Sequence, residues 1–297
     1  MSDTSVFKGG IFDEVMGLTK KTSPQVILAS LLFFILTLIP LAGIFAIVFA
    51  QSANFDLTTI QNLQNDPAAA QAFGLQMVSM FQSPAFIAGM VVLFLIMILI
   101  SAWQYNLNFL LVNRRVFDDT VDFSKAFKDS MNRGIFRIIG FILLSYLVLA
   151  VLGGLVAGLS YLAGGIGAFF GSIIVIVYVY RWLLILPAFL IGNKSLSDAI
   201  TFSHRHITWI RALKLFGASI LFGLVLMALF FIIGLLGMAL NFIPFVGVVF
   251  NYALQVVLTG VITAFMVSLM VGLYYRYADI VGNEEGDPLD YLVGDSE

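Results

Sequence analysis

Six long stretches of the chain are mostly apolar and carry almost no charged side chain, and shorter polar segments separate them. They run from Gln25 to Ala50, Pro84 to Val112, Ile138 to Ala163, Ala168 to Ile191, Leu215 to Leu240 and Phe245 to Leu273. An α-helix needs about 20 mostly apolar residues to cross ~30 Å of hydrocarbon. Each stretch meets that length. A strand barrel would instead show alternating segments of ~10 residues. These runs are continuous, so the pattern predicts an all-α integral membrane protein with six transmembrane helices. Lys20 and Lys21 before the first run, and Ala50-Gln51-Ser52-Ala53 after it, resemble the flanks of a secretory signal. The run far exceeds the ~7–15 apolar residues of a signal, so it reads as a retained span.

The polar segments have a pattern of their own. Asp122 to Ser130 aligns with Ser195 to Ser203, with Ser124, Ala126 and Ser130 falling on Ser197, Ala199 and Ser203. Phe136 falls on Trp209. A weaker third copy places Phe12, Val15, Met16 and Thr19 where Phe123, Ala126, Phe127 and Ser130 stand. Apolar residues at i, i+3 and i+4 make one face of a helix. Each copy therefore predicts a short amphipathic helix lying in the membrane interface, followed by two spans. Ser195 with Asp198 three residues later is a capping-box-like start. The expected architecture is three parallel repeats of elbow helix plus hairpin, at about 11–112, 122–192 and 195–278. They form a single membrane domain over 1–278, and 279–297 form an acidic tail.

Charge sets the expected orientation. Lys8, Lys20 and Lys21 precede the first span. Arg114, Arg115, Lys125, Lys128, Arg133 and Arg137 lie between spans 2 and 3. Lys194, Arg205, Arg211 and Lys214 lie between spans 4 and 5, and Arg276 closes the last span. The other three connections hold neither Lys nor Arg. By the positive-inside rule both termini face the cytoplasm. The outer loop 51–83 carries only Asp56 and Asp66 as charges. Its Pro67 to Ala70 reads as a helix start, and Leu57, Ile60, Leu63, Phe73, Met77, Met80 and Phe81 have helical spacing. It is a cap of short helices or a passive loop.

Composition agrees with the pattern. Of 297 residues 61% are hydrophobic and 11% charged, and the net charge is −2. Mean hydropathy is +1.03. A soluble domain carries about 25% charged residues. Nothing in this balance attracts nucleic acid. The absence of cysteine excludes disulfides, thiol catalysis and Cys-ligated zinc.

The segment Asn193-Lys194-Ser195-Leu196-Ser197-Asp198-Ala199-Ile200, with Ser203 and Trp209, and the closing Leu273 to Asp279 resemble a bacterial multi-pass family. That family includes the membrane domain fused to some glycerophosphoryl diester phosphodiesterases and similar stand-alone inner-membrane proteins. The resemblance covers spans 2 to 6 loosely. It implies a membrane fold in the bacterial cytoplasmic membrane and no chemistry, because the phosphodiesterase domain is absent.

Arg181 is the one cation inside a span. Eleven residues before Gly192, at 1.5 Å per residue, it would stand about 16 Å deep. An Arg there costs ~2.5–3.5 kcal/mol to insert and usually faces a bundle interior or wet cavity. Gln104, Asn108, Tyr178, Asn251 and Gln255 are its candidate polar neighbours. Such a cation among neutral amides attracts an anion, a lipid phosphate or a carboxylate. Alternatively, Arg181 only ties carbonyls and Tyr hydroxyls, and Pro187 ends or shifts the helix and brings it nearer the interface. Lys125, Lys128, Arg133 and Arg205 are expected to meet anionic headgroups. Gly154, Gly158, Gly167 and Gly171 are small-residue pairs that let helices approach. His204 and His206 flank Arg205 without completing a metal set. The acidic tail is a solvated end or a docking peptide.

The spans hold no acid–base pair and no phosphate loop, so catalysis is not expected. Gly164 to Gly167 reads as a tight turn between spans. The best reading is a non-catalytic, cofactor-free module that interacts with membrane lipids as a scaffold or accessory subunit. A protein partner would then lie in the membrane or at the cytoplasmic face. The alternative is a permease subunit driven by such a partner.

Overall fold

The computed structural model describes residues 11–52, 71, 75, 78, 81–118, 120–240 and 246–280. Every regular element among them is helical. In chain order these are α1 Ile11–Ser52, α2 Pro84–Phe117, α3 Phe123–Ser130, α4 Gly134–Tyr180, α5 Ile185–Leu190, α6 Leu196–His206, α7 Trp209–Leu240 and α8 Val246–Ile280. Five helical stretches are long and apolar enough to cross a membrane: Asp13–Ile47, Pro84–Phe117, Gly134–Leu190, Trp209–Leu235 and Val249–Ala278. Large apolar side chains point outward along them, Phe45 at 72% exposed and Leu162 at 82%. A soluble fold would bury such surface. The chain is a multi-pass membrane protein.

The third stretch contains two of the expected runs. Gly164 interrupts α4 with φ 60° and ψ −146°, a conformation for which a side chain is strained. A Cβ on Gly167 would strike the Leu159 carbonyl, and one on Gly171 would sit 3.3 Å from the Leu159 side chain. The chain therefore doubles back at the glycine-rich turn, and these two glycines allow the close approach. Gly154 and Gly158 have open space around them.

The N-terminal segment differs from expectation. α1 is continuous through Phe12, Val15, Met16 and Thr19 to Ser52, so among the described residues no separate elbow precedes the first span. Pro24 removes one helical donor. Thr22 donates to the Leu18 carbonyl and Ser23 to that of Thr19, which ties the turn around the proline. The outer-loop positions Asp56, Asp66, Leu57, Ile60, Leu63, Phe73, Met77, Met80 and 67–70, and the tail after 280, lie outside the described residues.

The chain forms two compact units, Leu32–Trp103 and the remainder, Met1–Leu31 with Gln104–Glu297. In the smaller unit the two helices run antiparallel. Phe33 meets Trp103 edge-on at 5.1 Å. Gly43 faces the Leu93 side chain, and Gly89 faces Ile47.

In the larger unit α5 packs against α6, α8 and α4, and α7 against α4 and α8. Leu184, Ile185, Ala199, Ile207 and Leu273 are wholly buried at its centre. Phe222 of α7 stacks on Phe265 of α8 at 3.9 Å. The start of α1 joins this unit: Ile27 packs on Gly260, and Glu14 pairs with Arg276 at 3.8 Å. Arg137 at the entry to α4 bonds Asn193 just ahead of α6, so α3 and α6 lie at the same end of the unit, and Lys125, Lys128, Arg133, Arg137, Lys194 and Arg205 make it the basic end.

Candidate functional site

The two short helices begin with side-chain caps. Asp122 accepts from the Lys125 amide at 3.2 Å, and Ser195 accepts from the Asp198 amide at 3.1 Å. Such caps satisfy amides that a helix leaves unpaired at its first turn. Ala126 and Ser130 of α3 are fully buried, as are Ala199 and Ser203 of α6. Lys125, Lys128 and Arg205 stand exposed on the outer faces.

Arg181 lies where α4 ends, in the turn that leads to α5, and not within a continuous helix. Pro187 is in the first turn of α5, where proline is tolerated. The guanidinium points at α6. Its Nε donates to the Ile207 carbonyl at 3.0 Å, and one Nη to that of His204 at 3.2 Å. The charge lies 5.0 Å from the centre of the Trp209 ring. These carbonyls are the ones a helix leaves free at its C-terminus, where a cation also suits the helix dipole. Ser203 completes the joint: its hydroxyl donates to the Arg181 carbonyl and accepts from the Leu184 amide.

The other expected neighbours are scattered. Tyr178 does accompany Arg181, packing on Trp182, His204 and Trp209 at about 6 Å. Asn251 and Gln255 are exposed on α8, and Gln104 is half-buried on α2. Asn108 is 1% exposed, and neither end of its amide has a partner.

A different set of polar groups surrounds a recess of about 490 Å³ at the basic end. One wall is the α2 face of Asn106, Phe109, Leu110 and Asn113, at one-turn spacing. A second wall, joined to the first at Asn106, is the entry to α4, with Asn132, Arg133, Gly134 and Arg137. The end of α5 closes it with Leu190, Ile191 and Asn193. No acidic side chain lines it. Asp129, just outside, is paired with Arg114.

Local hydrogen bonds hold these walls. The Asn106 amide donates to the Ser130 carbonyl at 2.6 Å and to Asn132 Oδ1 at 3.1 Å. That same oxygen accepts from the Gly134 amide at 2.6 Å. Arg137 donates to the Phe189 carbonyl at 3.0 Å and to Asn193 Oδ1 at 2.7 Å. Asn193 adopts φ 48°, which asparagine tolerates better than most residues. Tyr275 of α8 steadies Asn113. The exposed Arg133 side chain has no hydrogen-bonding or ionic partner among the described residues.

Compared with family models, curated proteins and solved structures, the chain finds no match in any of the three.

The sequence singled out Arg133 but not Arg137, Asn132 or Asn193. One signal was present. Arg133 and Arg137 occupy the N-terminal turn of a long helix, where the dipole disfavours cations. Departures from a local rule concentrate at functional sites. On α6, both imidazoles donate from Nδ1 to a carbonyl one turn back, His204 to that of Ile200 at 2.9 Å and His206 to that of Phe202 at 2.8 Å. Burial pushes the His206 pKa below its ordinary value. The Phe202 carbonyl opposes this, while Arg205, Arg211 and Lys194 add to it.

Proposed function

We propose that this protein is a non-catalytic membrane module that engages anionic lipids at its basic face, as a scaffold or accessory subunit. The observation that supports this most is the build of α3 and α6. Each anchors a small-residue face in the core and leaves Lys125, Lys128 or Arg205 outward at one end of the bundle. Cations at that level attract anionic headgroups, at ~1 kcal/mol each.

The reading includes six crossings. The stretch Gly134–Leu190 is 57 residues, about 85 Å as straight helix, against ~30 Å of hydrocarbon. The reversal at Gly164 supports reading it as two spans. It also includes tandem elbow-and-hairpin units, supported by the equal burial of Ala126 with Ala199 and of Ser130 with Ser203. With the basic end cytoplasmic, both termini face the cytoplasm, in a bacterial inner membrane as the family resemblance implies. A protein partner would dock in the membrane or on that face.

The test is reconstitution in mixed vesicles followed by native mass spectrometry of the released protein. Enrichment of phosphatidylglycerol over phosphatidylcholine, reduced in Lys125→Gln/Lys128→Gln/Arg205→Gln, is the expected result. Equal retention of both lipids would overturn it.

A permease subunit is the second reading, and Asn108 favours it. A buried amide with four unmet hydrogen-bonding positions is costly in an apolar bundle unless water reaches it. Labelling of Asn108→Cys by a water-borne thiol reagent, in a chain with no other cysteine, would move the weight to that reading.

A further inference from the structure

We infer that the recess between α2, the entry to α4 and the end of α5 binds a single phosphate-ester headgroup of an anionic lipid. The inference rests on the lipid-engaging reading above and gives it a defined site.

Three observations converge. First, the volume, about 490 Å³, lies within the ~300–1,000 Å³ usual for small-molecule sites. It holds a phosphoglycerol group and the start of its chains. Second, its polar wall carries two guanidinium groups and no carboxylate. Arg137 is fixed by Phe189 and Asn193, and Arg133 has no partner of its own. A planar guanidinium recognises a phosphate through paired N–H groups. Third, Phe109 and Leu110 of α2 with Leu190 and Ile191 at the end of α5 give the recess an apolar lining. A free phosphate has no use for such a lining, and an acyl-glycerol does.

The glycine at the seam fits the same purpose. A Cβ at Gly134 would lie 2.7 Å from Asn132 Oδ1 and 2.8 Å from Asn106 Oδ1. Only glycine lets both amides close over the start of α4 while the recess stays open beside them.

The experiment uses full-length protein in mild detergent, titrated with short-chain phosphatidylglycerol and read by native mass spectrometry. One lipid should bind per chain. Arg133→Gln, on an exposed side chain without partners, should weaken it about tenfold, the loss of one charge-assisted contact. Arg133→Gln/Arg137→Gln should abolish it. Lys125→Gln/Lys128→Gln, outside the recess, should leave the one-to-one complex intact. Phosphatidylcholine, whose headgroup has no net charge, should not form it.

Unchanged binding in Arg133→Gln overturns the site. So does equal weakening in Lys125→Gln/Lys128→Gln, which would mean a diffuse field. If glycerol 3-phosphate or inorganic phosphate displaces the lipid at matching concentration, the lipid source is overturned and the recess holds a soluble phosphate. A general preference for anionic lipid without a one-to-one complex refutes the recess and leaves the broader reading standing. Loss of any preference refutes both.

Discussion

At the C-terminal end of α6 two arginines close over the last carbonyls and a serine ties the helix back to the preceding turn. Arg181 takes those of Ile207 and His204, Arg211 takes that of His206 at 2.6 Å, and the Ser203 hydroxyl bridges back to the turn before α5. At the end of α3 two neutral amides do the comparable work, Asn106 on the Ser130 carbonyl and Asn132 on that of Asp129. Beyond them the structure stays open as the recess. The two helices share a cap, a buried alanine and a buried serine. They differ in whether the cations nearby are spent on the fold. At α6 a guanidinium serves as a clamp. At α3 Arg133 has no partner, and Arg137 is held at the rim of a cavity with no acid in it. With neutral amides capping the end of α3, the Arg133 charge is left available to a ligand.

The largest expected effect tests the sealed side. Arg181→Leu leaves two C-terminal carbonyls unmet and removes the charge over Trp209. Two charge-assisted bonds at this partly buried joint are worth about 3 kcal/mol. Thermal unfolding in detergent should show a lower midpoint, and Arg181→Lys should recover only part, because an ammonium cannot span both carbonyls as a fork does. Retention of anionic lipid by the folded fraction should not change. A fully stable Arg181→Leu protein that loses its lipid would reverse the comparison.

Next comes the open side. Asn106→Ala removes the bonds to Ser130 and Asn132, neutral contacts worth about 1–2 kcal/mol together. The loss should be smaller than for Arg181→Leu. It should also loosen the recess wall, so lipid retention falls in step with stability. If Asn106→Ala proved the more damaging variant, α3 and not α6 would be the tighter joint.

How much of this was legible beforehand follows the range of the interactions. The long apolar runs, the turn at Gly164 and the Ser195 cap are local patterns. The structure places the turn and the cap where the residues predict them. The cation at Arg181 is also visible in the sequence, but a depth of about 16 Å assumes an unbroken helix. The turn after Tyr180 brings Arg181 instead to the end of α6, a segment more than twenty residues on. The recess was harder still. Arg137 and Asn193 are 56 positions apart, and nothing in either neighbourhood names the other. The continuous α1 was missed for the opposite reason. Apolar spacing marks a face, and a face looks the same whether a helix stops after ten residues or continues through forty-two.

Gly134→Ala gives a smaller effect with an informative sign. Within a helix this exchange normally stabilises by about 0.5–1 kcal/mol. Here the new methyl meets two amide oxygens; Asn132 Oδ1 accepts from Asn106 and the Gly134 amide, and Asn106 is held through its NH2 group on Ser130 and Asn132. Overpacking of this kind costs about 1–3 kcal/mol, so a modest net loss of stability is expected, with weaker one-to-one lipid binding. A net gain would mean that the amides can move aside and that the seam is looser than its hydrogen bonds indicate.

The smallest effect concerns His206, inside the sealed joint. Its ring packs against Phe202 at 4.3 Å and Tyr277 at 5.4 Å, and Arg205, Arg211 and Lys194 surround it with positive charge. Burial and these cations hold its folded pKa below the unfolded value of about 6.5. The unfolded chain then binds more protons in the window between the two values. Stability is complete above that window and falls as the pH drops from about 6.5 through the folded value. Melting curves collected from pH 8 to 5 should show this decline, and His206→Gln should flatten it without touching the lipid complex. The half-buried ring keeps the effect small. A wild-type midpoint that rises on acidification would mean that an acid outside the α6 joint governs this range. A decline of the same size in His206→Gln would move the titration to another group. In either case the α6 joint would be pH-neutral, and its contrast with α3 would rest on hydrogen bonding alone.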